Sequence, residues 1–152
     1  MKILKLFIPI MILLCLIGCK SRLSNSKLTQ VDSLLDNNQL DSAKQILNVM
    51  HNTYFNEECS MYYKLLTIRS DYMSYKNIQP AAIDECVSYF KKCNETEKLA
   101  QAYYYKARVA YDMGERKKAI IAIKKSEYLA NNLHNIYLQD RIYIFLARIN
   151  TT

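Results

Sequence analysis

Apolar residues recur along this chain at helical spacing in paired segments, and almost nothing interrupts them: 152 residues hold only two glycines and two prolines. A strand-rich fold of this length needs a turn residue every ~8–12 positions, and that punctuation is missing. Leucine, isoleucine, alanine and lysine fill the intervals, and these side chains fit a helix at little cost. The pattern predicts an all-α chain with helices near 28–37, 40–51, 57–76, 80–93, 96–113, 115–132 and 135–150. The breaks carry their own signals. Asn37-Asn38 forms a polar turn, Pro80 sits at a first-turn position, Asn94 is a cap, and Gly114 closes a helix where positive φ is needed.

The N-terminus follows different rules. Lys2 and Lys5 precede an apolar run from Leu6 to Ile17, which ends in the small residue Gly18. That order is the layout of a secretory signal peptide. The run is 12 residues long, and a permanent span needs about 20, so removal is expected rather than retention. Leu16-Ile17-Gly18-Cys19 resembles the lipobox of bacterial lipoproteins, in which cleavage falls before the cysteine and that cysteine is acylated. Cys15 is a weaker candidate because bulky Leu14 precedes it. The resemblance implies a signal peptide at 1–18, a lipidated polar tether at 19–27 and a folded domain at 28–152. Lys20 stands where an acidic residue would favour the inner membrane, so the resemblance points to the outer membrane, facing the periplasm.

Within the folded part the second-helix alanines fall at Ala43, Ala82 and Ala119, and Tyr103-x3-Ala107-Arg108 recurs as Tyr143-x3-Ala147-Arg148. Periods of 39, 37 and 40 residues separate these copies. The best-defined unit, Ala100 to Ala130, is similar to a tetratricopeptide repeat: Tyr103, Ala107, Gly114, Ala119 and Ile123 fill its aromatic, small, turn, alanine and large apolar places. Asn38 and Asn77 stand where the turn glycine of the neighbouring units would be. The expectation is a short solenoid of antiparallel helix hairpins, about 3.5 repeats long. The alternative is a non-repeating bundle.

The last helix is apolar nearly all round, from Ile136 to Ile149, and the chain ends at Thr152. Such a helix requires cover, either as an imperfect cap, or from a partner, or because the chain is a shortened relative of a longer protein. Similar repeat segments behind a comparable export signal look like the periplasmic parts of Bacteroidetes-type regulators. The alternative functional reading is therefore the sensory portion of a repeat-containing transcriptional regulator.

Three cysteines remain in the folded part, Cys59, Cys86 and Cys93. Cys86 and Cys93 are seven residues apart on one predicted helix, roughly 10 Å and beyond disulfide reach. A hairpin of 57–76 with 80–93 brings Cys59 toward Cys93, so that pair is the candidate bridge. The competing reading is three buried thiols acting as small hydrophobes. The spacings match no zinc motif.

Chemistry is sparse. No HExxH, GxSxG, phosphate loop or paired-carboxylate constellation occurs, and His51 and His134 sit near predicted helix ends. No catalysis, cofactor, metal or small-molecule substrate is expected. Without Lys2 and Lys5 the net charge falls from +7 to +5, spread over many helices, which argues against nucleic acid. The tetratricopeptide resemblance instead implies a partner groove on the first helix of each pair: Thr67, Asp71 and Ser74, then Tyr104, Arg108 and Tyr111, then Ile144 and Arg148. Family members that clamp a terminal carboxylate use Lys and Asn at these places, from which this chain departs. Tyrosine and arginine there suit an extended peptide or another envelope protein. The same tyrosines could equally pack between neighbouring helices. The Lys117-Lys118 and Lys124-Lys125 pairs fall on the outward side of helix 115–132, as a solvated face or as a contact for anionic headgroups.

Overall fold

A computed structural model of the chain describes residues 23–133 and 135–151. The signal segment 1–18 with its cleavage position Gly18, the acylation candidate Cys19, residues 20–22 and His134 lie outside the described residues. Seven helices make up the described part, with no strand among the described residues: α1 at 23–36, α2 Leu40–Met50, α3 Glu57–Met73, α4 Pro80–Lys92, α5 Thr96–Asp112, α6 Arg116–Ala130 and α7 Ile136–Thr151. The fold is all-α and built from helix hairpins, as the apolar periodicity predicts. Two compact units divide the chain, Met1–Tyr63 and Lys64–Thr152, and the division falls inside α3.

In the first unit α1 buries Leu28, Val31 and Leu35, and α2 buries Ala43, Leu47 and Met50, each set at three- and four-residue spacing. The α1 stripe continues one turn back to Ser24, which is also buried. Residues 23–27, expected in the tether, are therefore helical and belong to α1. Early α3 joins the same unit: the Tyr62 hydroxyl donates to the Asp32 carboxylate, and the Tyr63 hydroxyl donates to the Leu47 carbonyl at 3.2 Å.

Four helices end in the same way. Asn38, Tyr75, Asn94 and Gly114 adopt left-handed backbone, with φ of 57°, 58°, 57° and 76°. Behind each, the next N–H reaches five residues back: Gln39 to Leu34, Lys76 to Asp71, Glu95 to Phe90 and Glu115 to Ala110, at 2.8–3.0 Å. This is the paired-bond stop that satisfies the last carbonyls of a helix. Asn38 and Gly114 take the role expected of them. In the middle repeat the role falls to Tyr75, not Asn77, so α3 ends at Met73, three residues short of the predicted 76.

That early stop also resets the register. α2 and α6 begin two residues after their turn residue, whereas α4 begins five after Tyr75, at Pro80 in the first helical turn. Ala43 and Ala119 are each the fourth residue of their helix and are wholly buried. The fourth residue of α4 is Ile83, 1% exposed, while Ala82 is only half-buried. The repeat thus aligns Ala43, Ile83 and Ala119, and Ala82 is displaced from the alignment by the longer 76–79 connection.

In the second unit α4, α5, α6 and α7 pack in sequence, each antiparallel to the next. The Ser126 hydroxyl, late in α6, donates to the Ala100 carbonyl, early in α5, at 2.7 Å. Ala107 and Ala119 each lie seven residues nearer the turn than that pair, so the register sets them opposite one another, both wholly buried. Small side chains there let the helices close. Lys106 on α5 pairs with Asp84 on α4, and Arg116 at the start of α6 donates to the Ile149 carbonyl near the end of α7. Asn56 and Asn135 cap α3 and α7 by accepting the N–H of Cys59 and Leu138 at 2.9 and 3.0 Å.

α7 buries a single stripe, Leu138, Ile142, Phe145 and Ile149, and leaves Ile136, Tyr137, Tyr143 and Ile144 at least half exposed. Cys93 is a free, exposed thiol, so the candidate bridge between Cys59 and Cys93 is not formed; Cys59 and Cys86 are buried. Burial, above all, pushes the Cys86 thiol up to about 12, with the nearby Glu85 carboxylate adding to the shift and Lys64 opposing it. It therefore behaves as a small hydrophobe.

Tyr75 offers a direct check on the helix stop, because its side chain is 99% exposed and contributes no packing. Left-handed backbone costs a residue with a Cβ roughly 1–2 kcal/mol, part of which glycine returns as chain entropy. Tyr75→Gly is expected to raise stability by about 0.5–1 kcal/mol in chemical denaturation, and Tyr75→Val to lower it.

Candidate functional site

The first helices of successive hairpins, α3, α5 and α7, run parallel within the second unit. Asn135 at the start of α7 donates to Glu97 at the start of α5 at 2.6 Å, and Tyr72 near the end of α3 donates to Asp112 at the end of α5 at 2.8 Å. Parallel neighbours bring equivalent turns side by side. Residues four apart on α5, Tyr104, Arg108 and Asp112, form one ridge along the middle of this arrangement.

Arg108 is the centre of the ridge. It is half-buried, and its guanidinium lies 5.0 Å from the Tyr72 ring, 4.9 Å from Phe145 and 5.7 Å from Tyr104, one ring from each of the three helices. Its Nε donates to the Tyr72 hydroxyl at 3.0 Å and one terminal nitrogen donates to the Tyr104 hydroxyl at 2.7 Å. An arginine has five N–H donors in a fixed fork, so three remain after these two bonds. No carboxylate pairs with Arg108 among the described residues. A second guanidinium, that of Arg141, lies 5.8 Å from the other partner ring, Tyr104.

The tyrosines stay neutral around this charge. Tyr72 is pushed up to about 12, first by burial, then by its hydrogen bond to Asp112, with Arg108 opposing the shift. Tyr104 is raised as well, again chiefly by burial, with the two arginines pulling the other way. Burial works against the charge on Arg108, and the two phenol oxygens outweigh it, so the guanidinium remains protonated.

The expected groove residues separate into distinct groups. Tyr104 is 3% exposed and serves as a wall that orients Arg108 rather than an open contact. Tyr111 is half-buried and meets Phe145 edge-on at 5.5 Å. Ile144 and Arg148 lie exposed on α7. Thr67 and Asp71 on α3 and Ser74 just past its end are half-buried, but Asp71 is paired with Lys76 at 2.7 Å and the Ser74 hydroxyl donates to the Ser70 carbonyl at 2.6 Å, so both serve the end of that helix. The α3 residue that reaches Arg108 is Tyr72, one position beyond the expected Asp71.

Arg69 and Gln101 were not anticipated. Arg69 is wholly buried, donates to the Gln101 amide oxygen at 3.0 Å and lies 5.9 Å from the Tyr105 ring. The signal was present, since Arg69 falls four residues after Leu65 on the buried stripe of α3. Charged residues are so seldom fully buried that the position reads as exposed.

Among the described residues no helix is long and apolar enough to cross a membrane, and no group of three or more His, Cys, Asp or Glu side chains is placed to hold a metal ion. No protein-family model, curated protein or solved structure matches the chain.

Tyr72 makes the ridge sensitive to alkali. A raised pKa favours the protonated phenol in the folded state, so its contribution is complete below pH ~10 and is lost as pH climbs through about 12. Denaturation midpoints are expected to fall between pH 10 and 12 in the parent and to fall less steeply in Tyr72→Phe. Parallel slopes would contradict the assignment.

Proposed function

We propose that this chain is a lipid-anchored binding module of the cell envelope. It is acylated on Cys19, faces the periplasm from the outer membrane, and holds an extended segment of another envelope protein on the α3–α5–α7 ridge. The anchor rests on the ordered sequence Lys2, Lys5, the apolar run and Leu16-Ile17-Gly18-Cys19. The helical-repeat fold supports the binding role, because such folds display the first helix of each hairpin to a ligand.

One observation carries the binding reading: Arg108 is a half-buried guanidinium with two neutral hydroxyl partners and three N–H donors in hand. A structural arginine at such a depth ordinarily pairs with a carboxylate. Here the fork is held rigid by tyrosines and keeps its charge for an incoming group. A peptide carboxylate, from an acidic side chain or a chain terminus, matches the fork geometry. Tyr111, Ile144 and Arg148 extend the contact toward α7, where Tyr143 and Ile136 add exposed apolar area.

Recovery from detergent extracts of envelopes tests both halves. A defined partner is expected with the parent and at least tenfold less of it with Arg108→Gln, in line with the ~1.5–3 kcal/mol typical of a hydrogen bond to a charged group. Equal recovery would remove Arg108 from the binding site. Metabolic labelling with a palmitate analogue is expected to mark the parent and Cys15→Ser, and to miss Cys19→Ser.

A further inference from the structure

A pocket lies on the side of α5 turned away from the ridge. Tyr103 is one residue from Tyr104, a turn of about 100° around the helix, and faces α4 and α6 instead of the ridge. Between the end of α4, the first half of α5 and the second half of α6 is a pocket of about 360 Å³. Leu99, Leu129 and the rings of Tyr103 and Tyr128 form its walls, and Lys91, Lys124 and Lys125 stand around it. No carboxylate side chain lines it.

The three lysines are not equivalent. Lys124 is paired with Glu127 at 2.8 Å, three residues along α6. Lys125 has its ammonium 5.4 Å from the Tyr103 ring and no carboxylate partner among the described residues. Lys91 has none either; it sits in the last turn of α4, where a cation also answers the helix dipole. A face that is merely solvated has no need of an apolar hollow under its charges. Four apolar or aromatic walls with two uncompensated ammonium groups at the edge are complementary to a molecule that is apolar at one end and anionic at the other.

From this geometry we infer that the pocket binds a single-chain anionic amphiphile, a carboxylate of the fatty-acid class. The chain lies against Leu99, Leu129 and Tyr128, and the head group bridges Lys91 and Lys125. The volume suits one chain, since it lies at the lower end of the ~300–1,000 Å³ usual for small-ligand sites. The site shares no residue with the Arg108 ridge, so it stands or falls independently of the binding reading above.

Isothermal titration of the chain from residue 19 onward with Cys19→Ser, which leaves every described residue in place, tests the inference with laurate below its micelle concentration. One laurate per chain is expected to bind, with dodecanol at least tenfold weaker and acetate without measurable affinity. Lys91→Met combined with Lys125→Met is expected to weaken laurate at least tenfold without altering the thermal melt. A second variant, Leu129→Asn, is expected to weaken laurate while leaving any binding of small anions as it was. Dodecanol as tight as laurate would mean an unselective apolar cleft, and acetate as tight would mean a simple ion site. Unchanged affinity in the double lysine variant, or binding to phosphatidylglycerol vesicles without binding of monomeric laurate, would equally overturn the assignment.

Discussion

α3 and α5 each stop two residues before a left-handed position, and the arrangement of the second unit follows from where those stops fall. Tyr75 and Gly114 end α3 and α5 with the same pair of backbone bonds, so the chain reverses at the same end of both helices. Reversal after α5 places α6 antiparallel on it, and Ser126 and the facing pair Ala107 and Ala119 fix the register. Once α6 is set, α7 has to return parallel to α5, and Phe145 comes to lie beside Tyr104 and Tyr111. A turn geometry costing or contributing about 1 kcal/mol at a time thus decides which side chains meet tens of residues apart.

What meets there is a cation with no carboxylate partner among the described residues. Surface pairs such as Lys64 with Glu85 and Lys106 with Asp84 contribute at most ~1 kcal/mol each, and the fold does not depend on them. Arg108 is different because burial removes water from its charge. Contact with a ring is worth ~0.5–2 kcal/mol, depending on desolvation, and three rings with two phenol acceptors roughly offset that loss. The balance leaves the guanidinium ordered, charged and short of an anion. Placing a carboxylate beside it within the fold would have made a stronger strut and a poorer receptor.

How much of this was legible in the sequence depended on whether a residue type announces its conformation. Gly114 and Asn38 do, because both tolerate positive φ, and Pro80 marks a helix start by its fixed φ. Tyr75 does not, since a large exposed aromatic carries no sign of left-handed backbone, and from that miss came the long α3 and the misplaced Ala82. Tyr104, Arg108 and Tyr111 were legible only as positions that the resemblance to a tetratricopeptide repeat implies; that Asp112 continues the ridge and Tyr72 and Phe145 complete it was not. Whether Tyr104 points outward or packs inward depends on Phe145 and Arg141, which come from another helix some forty residues on. Arg69 was missed for a related reason, as its burial rests on Gln101, 32 residues away.

The central claim is that Arg108 is kept as a receptor and not as a strut, and its cost to the folded chain is the most direct measure of that. Met at position 108 keeps an apolar, polarisable stem against the same rings and removes the uncompensated charge. Urea denaturation at neutral pH is predicted to place Arg108→Met within about 1 kcal/mol of the parent, or above it, because an unpaired half-buried charge is replaced by packing. A loss of several kcal/mol, on the scale of ~3–5 kcal/mol seen when a buried ion pair is broken, would show that Arg108 holds the fold together and would contradict the account.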